Sequence, residues 1–180
     1  MIKLQYLEEK DFRKIVEWNG NKTSDYLLQW AGPVYTYPLT EDQIREYFYN
    51  KVKKENSDIF VYKIILADTN ETIGTVELCI EDKVNMVGKI GRFLIGEENV
   101  RGRGIGKLVL EELLRIGFTK FKLEKIILKV FDFNSGAIKC YEGVGFVKEN
   151  LIKNARKVEN GYWNLYEMSI SKYNWKNRNK

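Results

Sequence analysis

The sequence predicts a mixed α/β (α+β) domain, built on a single mixed but mostly antiparallel sheet with helices on both faces. Two hydrophobic patterns predict this class: alternation with a period of two near the middle of the chain, and spacings of three and four residues on either side. The elements are expected in the order strand, helices, three strands, helix, strand, helix and two strands. A helix that crosses over between the fourth and fifth strands makes these two strands parallel neighbours.

The first half begins with a short strand over 2–7, and a helix opens at Glu8 with apolar residues at helical spacing through Val16. Thr40 and Gln43 match a capping box, in which the Thr hydroxyl accepts from a helical N–H and the Gln side chain reaches back. Helices are therefore expected from Glu8, over 25–30 and from 41 to about 56.

Three strands of a meander come next. Apolar residues alternate over 57–66, a turn cluster fills 68–71, and 72–81 forms the return strand of a hairpin. The return strand has Val76, Leu78 and Ile80 on one face and Glu77 on the other. The third strand is expected over 89–95.

A Gly-rich segment leads into the next helix, whose apolar residues begin at Ile105. The β-rich run Lys125–Phe131 follows, and Asn134 is a strong N-cap for a short helix. The closing strands are expected over 146–152 and 163–170. We expect one domain over residues 1–171 and a basic, polar, frayed tail over 172–180.

Composition excludes several classes of protein. The 180 residues contain 44% hydrophobic residues, as a folded domain requires, and no histidine. Without histidine there is no Ser-His-Asp or Cys-His mechanism, and the commonest metal ligand is missing. Cys79 and Cys140 form no Cys-x-x-Cys pair. No signal-peptide pattern and no apolar run near ~20 residues is present, so we expect a cytoplasmic protein without metal or membrane.

Charge is unevenly distributed along the chain. Residues 1–90 have 12 basic and 15 acidic side chains, whereas residues 91–180 have 18 and 10, so the halves carry charges of −3 and +8. The basic half indicates an anionic partner. Nucleic acid and a phosphorylated cofactor both remain open on this ground.

The Gly-rich segment Arg101–Lys107 places three glycines and three cations at the start of a helix. Glycines allow successive main-chain N–H groups to turn toward one point, and the helix start adds a partial positive charge, so the segment predicts a phosphate cradle. A Walker A loop would need Ser or Thr where Leu108 stands, and a dinucleotide fingerprint would need Gly where Lys107 stands. Both of these motifs are excluded.

The segment does match Arg/Gln-x-x-Gly-x-Gly/Ala through Arg101, Gly104 and Gly106. In this the chain resembles the GNAT superfamily of acetyl-CoA-dependent N-acetyltransferases. Residues 130–146 resemble the second signature of that family, with an Asn, an Ala-Ile pair, a Tyr and a Gly-Phe in register. The resemblance covers 89–150 well and the rest of the chain more loosely.

The resemblance implies that acetyl-CoA is bound where two strands splay apart, near Ile95 and Phe131. Main-chain N–H groups of the Gly-rich segment would hold its pyrophosphate, and the strand before it would hold the pantetheine arm and polarise the thioester carbonyl. The implied cofactor-binding residues are Phe93, Leu94, Ile95, Arg101, Gly102, Arg103, Gly104, Ile105, Gly106, Lys107, Asn134 and Ala137.

The reaction needs a base for the attacking amine and an acid for the leaving thiolate. Glu77 is the best-placed base, with Asp132 and Glu97 as further options, although a strand Glu can equally face solvent. A phenol remains protonated at neutral pH, and the resemblance assigns the acid role to Tyr141.

The acceptor amine is left open: a peptide N-terminus, a polyamine, an aminoglycoside or another small amine. Trp30, Tyr35 and Tyr37 are the candidate substrate residues, because aromatic rings suit a cationic amine, although they would also pack a loop. A homodimer is the candidate assembly. The alternatives are a non-catalytic acyl-CoA-binding regulatory module and a basic nucleic-acid-binding domain.

Overall fold

Seven strands form one sheet in the computed structural model, which describes residues 1–178. The strands are β1 (Ile2–Tyr6), β2 (Ile59–Leu66), β3 (Thr72–Asp82), β4 (Val87–Ile95), β5 (Lys125–Phe131), β6 (Val147–Val158) and β7 (Gly161–Ser171). Their spatial order is β1-β2-β3-β4-β5-β7-β6. Strand β5 has the bounds that its sequence predicts, and the closing strands are longer than predicted.

The helices among the described residues are α1 (Phe12–Glu17), α2 (Ser24–Ala31), α3 (Glu41–Tyr47), α4 (Ile105–Arg115), α5 (Ser135–Glu142) and α6 (Lys172–Asn177). Helix α3 is shorter than predicted, because a π-helical turn over Phe48–Val52 replaces its second half. Thr40 caps it as expected, accepting from the N–H of Gln43 at 3.3 Å. The Gln43 side chain instead bonds Pro38 and Thr36, so the reciprocal half of the capping box is wrong.

Strand pairing confirms the predicted mixed, mostly antiparallel sheet. The pairs β1–β2, β2–β3, β5–β7 and β6–β7 are antiparallel, whereas β4 and β5 are parallel. The parallel register runs from Val87 opposite Lys125 to Ile90 opposite Leu128.

Contacts divide the chain into two compact units. The first comprises residues 1–79 and 91–105, and the second comprises 80–90 and the residues from Gly106 onward. The prediction of one domain over 1–171 stays a prediction, and each unit is described by itself.

The first unit has an apolar core between its helices, made of side chains that are less than a tenth exposed: Leu7, Phe12, Ile15, Leu27, Ala31, Leu39, Ile44 and Phe48. Lys63 of β2 is also buried, and its ammonium lies 2.7 Å from Glu8 and 3.0 Å from Asp11. This pairing lowers the pKa of Glu8 to about 2, chiefly through its hydrogen bond with Lys63. A buried ammonium requires such partners, so the turn before α1 is bound to the sheet.

The second unit ends in helix α6, whereas the sequence predicts a frayed tail from residue 172. Ser171 caps this helix, Trp175 packs on Phe118 with ring centroids 5.2 Å apart, and Arg178 donates to the carbonyl of Val144 at 2.7 Å. The aromatic and guanidinium contacts order these residues in spite of their polar composition. Residues 179 and 180 of the predicted tail lie outside the described residues.

Gly74 of β3 gives a first test of the packing. A Cβ at this position would lie 2.2 Å from the carbonyl oxygen of Leu94, which is main chain and has no room to move. We expect Gly74→Ala to lower the free energy of unfolding by roughly 2–3 kcal/mol in urea denaturation. Gly91→Ala is the matched strand control, because its Cβ would meet nothing within 4 Å. Equal stability of the two variants would contradict this packing.

Candidate active site

Glu77 is a buried carboxylate in the middle of β3. Its side chain is on the opposite face from Val76 and Leu78, as predicted, yet the residue is only 3% exposed, and Val61 of β2 lies opposite it. The alternative of a solvent-facing strand Glu is therefore wrong. A buried carboxylate needs compensating partners.

Tyr47 and Arg92 are those partners. The Tyr47 hydroxyl donates to Glu77 Oε2 at 2.8 Å, and Arg92 Nε lies 3.3 Å from the same oxygen. Arg92 Nη2 in turn donates to the Tyr47 hydroxyl, and the guanidinium carbon lies 4.6 Å from the centroid of the Tyr47 ring. The three side chains form one closed, charge-balanced cluster.

The main chain at Arg92 has an uncommon conformation. Its φ is +45°, in the left-handed region that residues other than glycine rarely adopt, and this occurs inside β4. Such conformations persist only where the surroundings hold them, and they concentrate at functional sites.

The cluster lies at one wall of an open pocket in the first unit. The other walls are aromatic and aliphatic, and they include Trp30, Tyr35 and Phe48. Burial raises the pKa of both Tyr35 and Tyr47, and the negative charge of Glu77 adds to the effect. Both phenols therefore stay protonated at neutral pH, and Tyr47 donates its proton in the hydrogen bond to Glu77.

The three predicted substrate residues do not all lie in the pocket. Trp30 and Tyr35 line the pocket, with ring centroids 6.2 Å apart, and Trp30 Nε1 donates to Asn19 at 3.0 Å. Tyr37 is 55% exposed and is absent from the lining of this pocket. Two of the three predicted aromatics thus share a pocket with Glu77.

Tyr47 and Arg92 are site residues that the sequence analysis missed. Tyr47 lies three residues after Ile44 and reads as part of an apolar helix face. Arg92 stands between apolar residues of a predicted strand, and a lone cation in such a strand is a signal of a buried charge pair.

The Gly-rich segment has the geometry of an anion cradle. Gly102 and Gly104 have φ values of +74° and +76°, and a Cβ on either would meet nothing within 4 Å. Helix α4 begins directly after them, at Ile105, and is 11 residues long. Glycines at positive φ directly before a helix start are typical of segments whose main-chain N–H groups bind phosphate oxygens.

Arg101 is part of this segment, and its exposed side chain bonds back to neighbouring parts of the first unit. Its Nε and Nη2 donate to the carbonyl of Ile95 at 3.0 and 2.8 Å, and Nη2 also donates to the Tyr26 hydroxyl at 2.9 Å. The side chain therefore holds the loop in shape, whereas Arg103 and Lys107 expose their cations to solvent.

Of the predicted pantetheine contacts in β4, Leu94 is buried while Phe93 and Ile95 are partly buried.

In α5, the Asn134 side chain accepts from the N–H of Ala137 at 3.1 Å, so its role as helix cap is confirmed. Burial raises the pKa of Tyr141, whose ring lies 6.2 Å from that of Phe146.

The two further candidates for the base have structural contacts instead. Glu97 accepts from Trp18 Nε1 at 2.9 Å and pairs with Lys14 at 3.0 Å, and the Trp18 hydrogen bond lowers its pKa. Asp132 accepts from Asn164 at 2.8 Å.

Metal-binding clusters and membrane-spanning helices are two further features that we considered. Within residues 1–178, no group of three or more Cys, Asp or Glu side chains could hold a metal ion. Over the same part of the chain, no helix has both the length and the apolar character that crossing a membrane requires.

Comparison with known proteins gives a consistent result. Residues 2–147 match the family profile described as an acetyltransferase (GNAT) domain. An N-acetyltransferase of Bacillus licheniformis is 31% identical over 111 residues, which cover 62% of this chain and 61% of that protein. The spermidine N(1)-acetyltransferase of Vibrio cholerae is 27% identical over 182 residues, covering 99% and 98% of the two chains.

Solved structures show the same fold. A crystal structure of the Vibrio cholerae spermidine N-acetyltransferase in complex with CoA and spermine superposes with a TM-score of 0.83 at 22% identity, covering 98% of both chains. A structure of that enzyme described as dodecameric gives a TM-score of 0.79 at 24% identity, covering 99% of this chain and 98% of the other.

Proposed function

Because this chain belongs to the GNAT family of acyl-CoA-dependent N-acetyltransferases, we propose that it transfers an acetyl group from acetyl-CoA to a primary amine that enters the pocket beside Glu77. The observation that carries this proposal is a buried carboxylate on the wall of an aromatic pocket. Aromatic faces and a carboxylate together attract an alkylammonium group.

The residues of the Gly-rich segment fit a diphosphate. Gly102 and Gly104 have positive φ and open space where a side chain would stand, which suits a loop whose main-chain N–H groups bind an anion. We assign Arg103 and Lys107 to the same anion, as exposed cations, and Arg101 to holding the loop. Acetyl-CoA supplies the activated acetyl group as a thioester, and main-chain groups of Phe93 to Ile95 would bind its pantetheine arm.

Glu77 is proposed to receive the proton of the attacking amine. An alkylammonium with an ordinary pKa near ~10.4 is almost fully protonated at neutral pH and cannot attack until a base takes its proton. Tyr47 and Arg92 fix the Glu77 carboxylate in one orientation at the pocket wall. A carboxylate held at the pocket wall can take this proton directly or through water.

Tyr141 is proposed to donate a hydrogen bond, and finally a proton, to the leaving thiolate. Burial raises its pKa above the ordinary phenol value near ~10, so the phenol keeps its proton throughout the neutral range. Asn134 supports this role indirectly, because it caps the helix that carries Tyr141.

The proposal is tested by thiol release from acetyl-CoA against a panel of amines. Polyamines belong in the panel because a full-length relative is a spermidine N(1)-acetyltransferase, and peptide N-termini and aminoglycosides complete it. We expect amine-dependent thiol release with at least one class, with the acetylated amine identified by mass spectrometry. Tight CoA binding without transfer to any amine would instead favour a regulatory acyl-CoA-binding module.

Tyr141→Phe tests the acid. Because general acid catalysis contributes at least about 100-fold, we expect kcat to fall by about that factor while CoA affinity is unchanged. A proton donor is active below its own pKa, so the raised pKa predicts that wild-type kcat does not decline between pH 7 and about 10 through this group. Tyr173→Phe is the control, since Tyr173 is 75% exposed. Unchanged turnover in Tyr141→Phe would assign the acid elsewhere.

Gly104→Val tests the cradle. The β-branched side chain would fill the open space in front of the loop, and we expect CoA affinity to fall at least tenfold, about 1.4 kcal/mol, in titration calorimetry. Backbone strain alone is controlled by Gly161→Val, which also places a side chain at positive φ in open space, at the turn between β6 and β7. Equal loss of affinity in both variants would argue against a cradle at Gly104.

A further inference from the structure

Arg92 lines the pocket but has no part in the proposed proton transfers. Its side chain is 22% exposed, so the guanidinium is accessible from the pocket that it borders. Nη2 bonds Tyr47 and Nε lies near Glu77, but within residues 1–178 Nη1 has no hydrogen-bond partner. Nε itself is buried without a hydrogen bond of acceptable geometry. Nη1 is therefore the donor that a ligand entering the pocket can meet.

The charge balance of the pocket restricts that ligand. Its lining contains one acidic residue, Glu77, and one basic residue, Arg92, and every other lining residue is uncharged. Because these two charges are in contact, the pocket offers little net attraction to a molecule with several positive charges. It offers a favourable place for one positive and one negative group side by side.

Arginine is suited to the negative group. Its planar guanidinium presents pairs of N–H donors that match the two oxygens of a carboxylate or a phosphate. The end formed by Nη1 and the second hydrogen of Nη2 remains available, because Nη2 uses one hydrogen for Tyr47. Arg92 lines the pocket with a positive φ, a conformation that is costly for a residue with a side chain.

We propose that Arg92 determines acceptor specificity by binding a carboxylate or phosphate that the acceptor carries close to its reactive amine. This rests on the proposed acetyl transfer beside Glu77. Because Arg92 and Glu77 lie side by side, with Nε 3.3 Å from Oε2, an acceptor that engages both groups carries its anion a short distance from its amine. Amino acids and phosphorylated amino alcohols meet this condition, whereas polyamines do not.

Three small acceptors that share an aminoethanol unit test the proposal. Ethanolamine is compared with serine, which adds a carboxylate, and with O-phosphoethanolamine, which adds a phosphate. A second pair, phenethylamine and phenylalanine, suits the aromatic walls, and spermidine is included as the polycation. We expect kcat/KM at least tenfold higher for an anionic member than for its matched plain amine. The anionic member that is preferred identifies the source of the anion.

Variants of Arg92 test whether this residue causes the preference for anionic acceptors. Arg92→Met should reduce the ratio of kcat/KM between the anionic and the plain amine at least tenfold, and Arg92→Lys should restore part of it, because Lys keeps the charge but not the paired donors. Equal losses for both members would mean that Arg92 only holds Glu77, and would overturn the proposal. Thermal melts confirm that each variant is folded.

The wild-type enzyme gives an answer that does not depend on these variants. Calorimetric titration of each acceptor into the CoA-saturated protein should show tighter binding of the anionic members. Thiol release that is fastest with spermidine or with the plain amines would overturn the role of Arg92 while the proposed transfer stands. Absence of release with every amine would instead contradict the transfer itself.

Discussion

The charge pair between Glu77 and Arg92 is the constraint on which the site depends. Burying the charge of the Glu77 carboxylate on β3 would be costly without partners. Arg92 and the Tyr47 hydroxyl compensate this charge. Arg92 has a left-handed backbone at this position within β4. The buried acid, the left-handed strand residue and a tyrosine from a separate helix thus meet in one cluster.

Much of the fold could be predicted from the sequence because its signals are local. Alternation over 125–131 and the Asn134 cap depend only on neighbouring residues, and both are found as expected. The prediction for α3 extended too far because a π-helical turn keeps the same apolar face that a longer helix would show. The polar tail gave no sign of order, since Trp175 and Arg178 are ordered by partners distant in sequence.

In the candidate site, too, the residues with local sequence signals could be predicted and those placed by distant contacts could not. Glu77 was found by its strand register, and Gly102 and Gly104 by their pattern, because these features are contained in short segments. Tyr37 and Trp30 look alike in sequence, but only Trp30 lines the pocket, and that distinction comes from the path of the loop between them. Arg92 could not be assigned to the site from the sequence, because alternation places it on one strand face with Ile90 and Leu94 and does not show which acidic side chain it meets.

The side chain of Arg101 has a consequence for how the neighbouring loop meets its ligand. Its hydrogen bonds to the Ile95 carbonyl and the Tyr26 hydroxyl fix the chain just before two glycines, which are otherwise the most conformationally free residues available. The loop is therefore preorganised, and its ordering entropy is lost during folding and not at the moment of association. A chain without this clasp could keep every main-chain donor in its sequence and still associate more weakly, because it would have to freeze the loop each time.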